Sequence, residues 1–341
     1  MDTNSPEATK TTQLNIDVDE HGATRRVSIP MKRGRKLKDF CTGILALPTI
    51  ALLLMGLGVY AFAVESSILP PRSTCAPAVL DMRSIKHHSD HRYYSTLKNI
   101  SALQPPIFSG KHAVLCDDKE RTQRQYSYCL PISGRKDTSY CAEANRMDLL
   151  LRQSPTTMCY ASVLHLLLVE VYEELQALDK SPIIAFGSLL GAVRNGSVIP
   201  FTEDADIAYS GELRSNGELQ RALWRKGYHM FFMDIWRVCV APTHPLAANL
   251  YDPSLPLTAN YDVPYLDLYA MKQRVDNHQW EIQEFQSVHG HRTLPDDKVT
   301  PFSQVTINGQ PFDTVHDPKY FLEETYGADY MTPRPRGGST K

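Results

Sequence analysis

One long apolar run lies near the N-terminus, and the later hydrophobic positions follow shorter periodic patterns. Residues 40–64 contain no charged side chain and are bounded by Asp39 and Glu65. About 20 consecutive apolar residues suffice to cross a bilayer, so this run predicts a single transmembrane helix. The basic residues within 32–38 predict a cytoplasmic N-terminus and a lumenal remainder, which is a type II topology. A cleaved signal peptide is the disfavoured alternative, because 39 residues precede the run.

Helical and strand periodicities organise the second half of the chain. In residues 158–178, apolar side chains recur at helical spacing, which predicts an amphipathic helix leading into a strand at residues 183–184. His165 in that helix is predicted to be a packed or surface side chain rather than a ligand. The elements predicted after the strand are a helix at residues 217–225, strands within residues 228–240, a hairpin with a tight Asn308-Gly309 turn, and a helix that starts at Pro318 and ends at Gly327.

The chain is predicted to contain five segments. Residues 65–115 are rich in proline, serine, histidine and arginine with little periodicity, which favours an extended stem, and Asn99 begins a glycosylation acceptor sequence there. The predicted segments are a disordered, basic cytoplasmic tail (1–39), the transmembrane helix (40–64), a lumenal stem and domain lead-in (65–145), a globular domain (146–334) and a flexible C-terminal tail (335–341).

Residues 183–209 combine a strand, a sharp turn and a short helix. A β-branched pair meets Gly187 and Ser188, a sequence typical of a buried strand that turns into a helix. Ser188 is predicted to cap a helix over residues 189–194, whose first free amides would form an anion site. Arg194 fits two roles equally well, since it would either complement the C-terminal end of that helix or contact a substrate phosphate.

Acidic residues follow on two predicted strands. Residues 204–209 alternate charged and apolar side chains, so Asp204 and Asp206 face the same side of a strand. Adjacent carboxylates are stabilised by a hard divalent cation between them. Asp267 lies within an aromatic and aliphatic strand, where a carboxylate is costly to bury without a partner, and a shared metal ion would be that partner. An isolated Asp-x-Asp pair is a weak metal signal, and the strand-to-helix turn upstream strengthens it.

The motif FGSLLGAVR, followed by Ile-Pro and then by DADI, resembles the LicD family, which includes fukutin and fukutin-related protein. The resemblance extends over residues 146–334, and the segment YFLEETYGADY is similar to the family's ending. The match is weaker at residues 201–203, where the family usually has a tryptophan followed by acidic residues. Thr202 departs most from this pattern. The resemblance implies an α+β, nucleotidyltransferase-like fold of the DNA polymerase beta type, with a mixed sheet and flanking helices.

The same resemblance implies an activity and roles for individual residues. The implied reaction transfers a phospho-alditol or phosphocholine group from a CDP-activated donor to a sugar hydroxyl on a glycan, in the Golgi or the endoplasmic reticulum. Asn195 begins a second glycosylation acceptor sequence, in the turn beside the proposed metal site. A glycan there would obstruct the substrate, so we expect that acceptor to be unused. The residues that would carry catalysis and hold Mg²⁺ or Mn²⁺ are Asp204, Asp206 and Asp267, and those that would bind the donor are Gly187, Ser188 and Arg194.

Charge and cysteine content narrow the possible partners and compartment. The net charge of -2 gives no basic field, so nucleic acid is not an expected partner. An even number of cysteines follows the apolar run, which predicts disulfides in an oxidising lumen with open connectivity. Zinc is the less favoured alternative because no Cys-x-x-Cys pair occurs. These cysteines are Cys75, Cys116, Cys129, Cys141, Cys159 and Cys239.

Two other functions fit parts of the pattern. A type II anchor, a stem and the Asp204-Asp206 pair are also typical of a glycosyltransferase that uses a UDP-sugar and Mn²⁺, but the GSLLGAVR turn has no role in such an enzyme. A non-catalytic scaffold is favoured only by the departures at residues 201–203, and the three carboxylates argue against it.

The loop at residues 242–256 is expected to cover the acceptor side of the site.

Overall fold

A computed structural model describes residues 50–60, 74–154, 156–274, 276, 278–283, 285 and 292–333. The chain divides into two compact units, Met1–Leu69 and Pro70–Lys341. In the first unit, residues 50–60 are helical. The rest of the helix predicted at 40–64 and the tails predicted at 1–39 and 335–341 lie outside the described residues. Within the described ranges, no helix combines the length and the apolar character that crossing a membrane requires.

A mixed sheet forms the centre of the second unit. The described strands of the unit are β1 (Thr74–Cys75), β2 (Phe108–Ser109), β3 (Ile183–Ile184), β4 (Asp204–Ser210), β5 (Tyr228–Met233), β6 (Ile235–Val240), β7 (Tyr265–Arg274), β8 (Gln279–Ile282), β9 (Leu294–Pro295), β10 (Ser303–Ile307) and β11 (Gln310–Thr314). In the central sheet these strands follow the order β3-β4-β7-β6-β5, and β8 and β9 extend the sheet beside β7. Strands β4 and β7 are parallel, and β6 pairs with β7 in the antiparallel direction. The predicted α+β class with a mixed sheet is therefore confirmed.

Helices flank the sheet. The α-helices with described bounds in the second unit are α1 (Arg92–Asn99), α2 (Thr138–Cys141), α3 (Tyr160–Ala177), α4 (Phe186–Asn195), α5 (Glu218–Trp224), α6 (Ala247–Leu250), α7 (Asp296–Val299) and α8 (Pro318–Tyr326). Described 3₁₀ helices span Gly110–Cys116, Asp118–Gln123, Tyr126–Tyr128 and Arg146–Leu150. The predicted hairpin is confirmed as β10 and β11, with Asn308 and Gly309 both at positive φ. The last predicted helix is confirmed too, because the Asp317 side chain caps α8 and Gly327 ends it.

Helix α3 is covered on all sides, which corrects the prediction of an amphipathic helix. Every side chain in residues 160–175 is buried, including three glutamates. Buried carboxylates need partners: Glu174 is 2.7 Å from the ammonium of Lys226, and Glu173 accepts a hydrogen bond of 2.7 Å from the hydroxyl of Tyr94. The polar positions in the pattern are therefore internal ion pairs and hydrogen bonds rather than a solvated face.

Part of the segment predicted as a stem and domain lead-in (65–145) packs in the same core as α3, so its described residues belong to the compact unit rather than to an extended stem. Tyr93 and Leu97 of α1 belong to the same buried apolar cluster as the residues of α3. His165 is buried, and its Nδ1 accepts a hydrogen bond from the amide of Arg146, which confirms it as a packed side chain. Asn99 is exposed at the end of α1. The compact unit thus begins near residue 70 rather than near 146.

The cysteines that follow the apolar run form three disulfides, which confirms the prediction and removes the zinc alternative. The pairs are Cys75–Cys116, Cys129–Cys239 and Cys141–Cys159. The second pair closes a sequence separation of 110 residues and joins the 3₁₀ segment around Tyr126 to strand β6. The segment before residue 146 is therefore fixed covalently to the central sheet.

Candidate metal site

Helix α4 begins three residues before its predicted start, so Ser188 is not its N-cap. The helix starts at Phe186, and the capping residue is Ala185, whose side chain makes no capping hydrogen bond. Phe186 adopts a φ of 43°, a conformation that bulky residues rarely take. Such strain commonly marks functional sites. As a result, Gly187 and Ser188 lie in the first turn of the helix.

The first turn of α4 holds the carboxylate of Asp206. The Ser188 amide donates to Asp206 Oδ2 at 3.2 Å, the Gly187 amide also donates to this carboxylate, and the Ser188 hydroxyl accepts from the Asp206 amide at 2.8 Å. A Cβ on Gly187 would lie 2.9 Å from Asp206 Oδ2, so a side chain at this position would displace that carboxylate. The amides predicted to bind a phosphate are therefore bonded to a side chain of the protein itself.

Three carboxylates meet at the paired strands β4 and β7. Asp206 and Asp267 are register partners, and Asp204 lies two residues before Asp206 on the same face of β4. One carboxylate oxygen from each aspartate lies within 4.8 Å of the others. The predicted convergence of the three residues is thus present. Carboxylate oxygens at this spacing fit a hard divalent cation such as Mg²⁺ or Mn²⁺.

Hydroxyl groups orient these carboxylates. Strand β7 places Tyr265 and Tyr269 on the same face as Asp267, because side chains alternate along a strand. The Tyr265 hydroxyl donates to Asp204 Oδ2 at 3.2 Å, and the Tyr269 hydroxyl lies 3.1 Å from Asp267 Oδ2. The Thr202 hydroxyl donates to Asp204 Oδ1 at 3.0 Å. Thr202, the position that departs most from the family pattern, therefore supports the first aspartate.

Arg237 is a site residue that the sequence reasoning missed. It is the register partner of Asp267 on β6, and its Nε lies 2.8 Å from Asp267 Oδ1. Both side chains are buried. The available signal was an arginine inside the apolar strand IWRVCV, since a buried guanidinium requires an acidic partner.

Burial and mutual repulsion disfavour the charged forms of two of the aspartates. Burial, together with the charges of Asp204 and Asp267, raises the pKa of Asp206 well above its ordinary value. Burial raises the pKa of Asp267 to about 7, although Arg237 acts in the opposite direction. Ionising both carboxylates is therefore costly unless a further positive charge is present. The electrostatics consequently favour cation binding.

A cleft of about 470 Å³ opens beside Asp204 and Asp206. One wall comes from α4, through Phe186 and Leu190, and the other includes Tyr326 of α8. The sequence pattern favours a packing role for Tyr326, but this side chain is 38% exposed and lines the cleft. Among the described residues that line the cleft, none is Lys, Arg or His.

Three other predicted features lie away from the carboxylates. Arg194, at the opposite end of α4 from Asp206, donates to the carbonyls of Tyr330 and Thr332, so its guanidinium fixes the C-terminal segment. Asn195 is exposed at that same end of α4, so a glycan there would not obstruct the carboxylates. The loop at 242–256 packs into the core through buried side chains and does not line the cleft.

Comparison with known proteins identifies the central segment of the chain. Residues 182–314 match the family model described as LicD/FKTN/FKRP, nucleotidyltransferase domain. No curated protein matches the chain significantly. The matched region contains α4, β4, β6 and β7, and with them the three aspartates and Arg237. Residues 74–181 precede it and α8 follows it.

Proposed function

Because this chain carries a LicD-family domain at residues 182–314, we propose that it is a metal-dependent transferase that acts in the lumen of the Golgi or the endoplasmic reticulum. The proposed reaction moves a phospho-alditol or phosphocholine group from a CDP-activated donor to a sugar hydroxyl on a glycan. The observation that carries the proposal is the convergence of Asp204, Asp206 and Asp267 within 4.8 Å beside an open cleft. The type II membrane anchor and the nucleotidyltransferase-like fold belong to the same proposal.

The donor would lie in the cleft. Aromatic and apolar side chains on both walls, such as Phe186, Leu190 and Tyr326, suit the ring of a nucleotide. The described lining contributes acidic groups and no basic side chain. The negative charge of a diphosphate therefore needs a divalent cation on the aspartates, which is the reason to propose strict metal dependence.

The aspartates would orient the reacting groups. Asp204, Asp206 and Asp267 would hold one or two Mg²⁺ or Mn²⁺ ions, which when bound neutralise the phosphates of the donor and stabilise the leaving group. The acceptor hydroxyl attacks the phosphorus of the transferred group, the bond from that phosphorus to CMP breaks, and Asp267 takes the hydroxyl proton. The products are a phosphodiester and CMP.

Product analysis tests the proposal. The purified full-length chain would be incubated with Mg²⁺ or Mn²⁺, a mixed glycan acceptor and single donors from a panel of CDP-alditols, CDP-choline and UDP-sugars. Mass spectrometry should detect a phosphodiester adduct with one CDP donor, and the Asp204→Asn and Asp206→Asn variants should form none. A sugar adduct from a UDP-sugar would instead support the glycosyltransferase alternative, and retained activity in both variants would refute the metal assignment.

A further inference from the structure

The guanidinium of Arg237 is held in a fixed position by three kinds of contact. Its Nε pairs with Asp267 Oδ1 at 2.8 Å, and its Nη1 donates to the carbonyl of Met233. Its Cζ lies 5.4 Å from the ring centroid of Tyr261 and 6.0 Å from that of Tyr126. Cations within about 6 Å of an aromatic ring are attracted to its face. The side chain is therefore fixed by a carboxylate, a carbonyl and two rings.

One of these rings comes from outside the family-matched region. Tyr126 is buried, and its ring lies 5.3 Å from Tyr261 and 5.4 Å from Tyr265. The disulfide Cys129–Cys239 fixes the segment of Tyr126 to β6, two residues beyond Arg237. The N-terminal part of the compact unit thus helps to position a group that contacts the candidate metal site.

The orientation of Asp267 follows from its two partners. Arg237 binds Oδ1, and Oδ2 faces the hydroxyl of Tyr269, which is also 3.3 Å from Asp206. A carboxylate with one oxygen fixed presents its other oxygen in a defined direction. Groups that orient metal ligands in this way commonly change metal affinity 10–100-fold when they are replaced.

We propose that Arg237 is a positioning residue for Asp267, and that Tyr126 and Tyr261 hold its guanidinium in place. The proposal deepens the proposed function and rests on the same three aspartates. It makes a prediction with a definite sign. Loss of a positive charge beside three carboxylates would by itself strengthen cation binding, whereas loss of the orientation of Asp267 weakens it.

Manganese binding by the full-length protein, measured by electron paramagnetic resonance without donor, tests the proposal. Arg237→Gln is expected to weaken Mn²⁺ binding by about 10–100-fold, and Arg237→Lys to recover part of the loss. Arg274→Gln, which removes an arginine from a more exposed ion pair on β7, is the matched control and should bind like the wild type. Unchanged or tighter binding by folded Arg237→Gln would overturn the proposal.

A second variant keeps the test decisive if Arg237→Gln does not fold. Tyr261 is 42% exposed, so Tyr261→Leu should fold while removing one ring from the guanidinium. We expect Mn²⁺ binding about threefold weaker, in line with the strength of exposed cation–π contacts, and unchanged binding would contradict the proposal. No donor is needed in these measurements. A protein inactive with every CDP compound would refute the proposed function and leave the result on Arg237 standing.

Discussion

Asp206 and Asp267 lie opposite each other on two parallel strands, and a single hydroxyl, that of Tyr269, is within hydrogen-bonding distance of both. The hydroxyl lies 3.3 Å from Asp206 Oδ1 and 3.1 Å from Asp267 Oδ2. A tyrosine has one hydroxyl proton, so it donates to one of these oxygens at a time. Two buried carboxylates that share one donor repel each other, and a divalent cation removes that repulsion.

Replacing Asp206 with asparagine should stabilise the metal-free protein and abolish its activity. The pKa of Asp206 is raised by burial and by its neighbours, so its charged form destabilises the fold near neutral pH. We expect the thermal midpoint at pH 7.5 without metal to rise by about 2–4 °C, and added Mn²⁺ to stabilise the variant less than the wild type. Exposed Asp276→Asn is the control and should change neither quantity. A lower midpoint for Asp206→Asn would contradict this electrostatic description.

Adding one methyl group at Gly187 should impair the site without unfolding the protein. The new Cβ would lie 2.9 Å from Asp206 Oδ2, so Gly187→Ala displaces that carboxylate. We expect kcat to fall by about 10–100-fold, with a change of less than about 1 kcal/mol in unfolding free energy. The control is Gly58→Ala, where nothing lies within 4 Å of the added carbon. Equal activity of the two variants would show that Asp206 tolerates displacement.

Buried histidines should make the protein sensitive to mild acid. Burial lowers the pKa of His165 and of His244 to about 3. Each is neutral in the fold and charged in the unfolded chain below pH 6.5, so its stabilising contribution is complete above pH 6.5 and is lost as the pH falls towards 3. Together they should remove about 2–3 kcal/mol of unfolding free energy between pH 7.5 and 5.5.

The contribution of His165 can be isolated by comparison with His165→Gln. Urea unfolding of both proteins is measured at pH 7.5 and at pH 5.5. The raised pKa values of the aspartates change the unfolding free energy in the opposite direction, but equally in both proteins, so this effect cancels in the comparison. The variant should lose about 1 kcal/mol less than the wild type over this range. Identical losses in the two proteins would mean that His165 does not titrate on unfolding.

Truncation at residue 146 should prevent folding, whereas truncation near residue 70 should not. The shorter fragment leaves Cys239 without Cys129 and exposes the face of α3 that α1 covers. A disulfide that closes about 100 residues contributes roughly 4–5 kcal/mol in the chain-entropy account. Residues 70–341 should be secreted as a monodisperse protein with a cooperative thermal transition. Comparable behaviour of residues 146–341 would restore the interpretation of residues 65–145 as a stem and domain lead-in.

Local sequence rules singled out the three aspartates that cluster in the structure, because these rules concern neighbours along the chain. The alternation around Asp204 and Asp206 places both on one strand face, and the acid in an apolar strand singled out Asp267. The start of α4 was misplaced because Phe186 takes a positive φ, which no helix-start rule anticipates. Arg237 was missed because its partner is fixed by the pairing of β6 with β7, a contact between distant residues.

The N-terminal part of the compact unit was misinterpreted for a related reason. Residues 74–150 fold into short strands, two short α-helices, 3₁₀ segments and turns, which leave little sustained periodicity in the sequence. Their burial depends on covering α3, whose glutamates also disguised it as a helix with a solvated side. The pairing of Cys129 with Cys239 cannot be obtained from spacing alone. Tertiary contacts, rather than local patterns, therefore determine the domain boundary.

We propose above that Asp204, Asp206 and Asp267 together bind a divalent cation. Anomalous scattering from crystals of the protein grown with Mn²⁺ and CDP tests it directly. We expect a manganese peak about 2.0–2.5 Å from an oxygen of each aspartate. Manganese bound only at other residues, or absent from these carboxylates at saturating concentration, would contradict it.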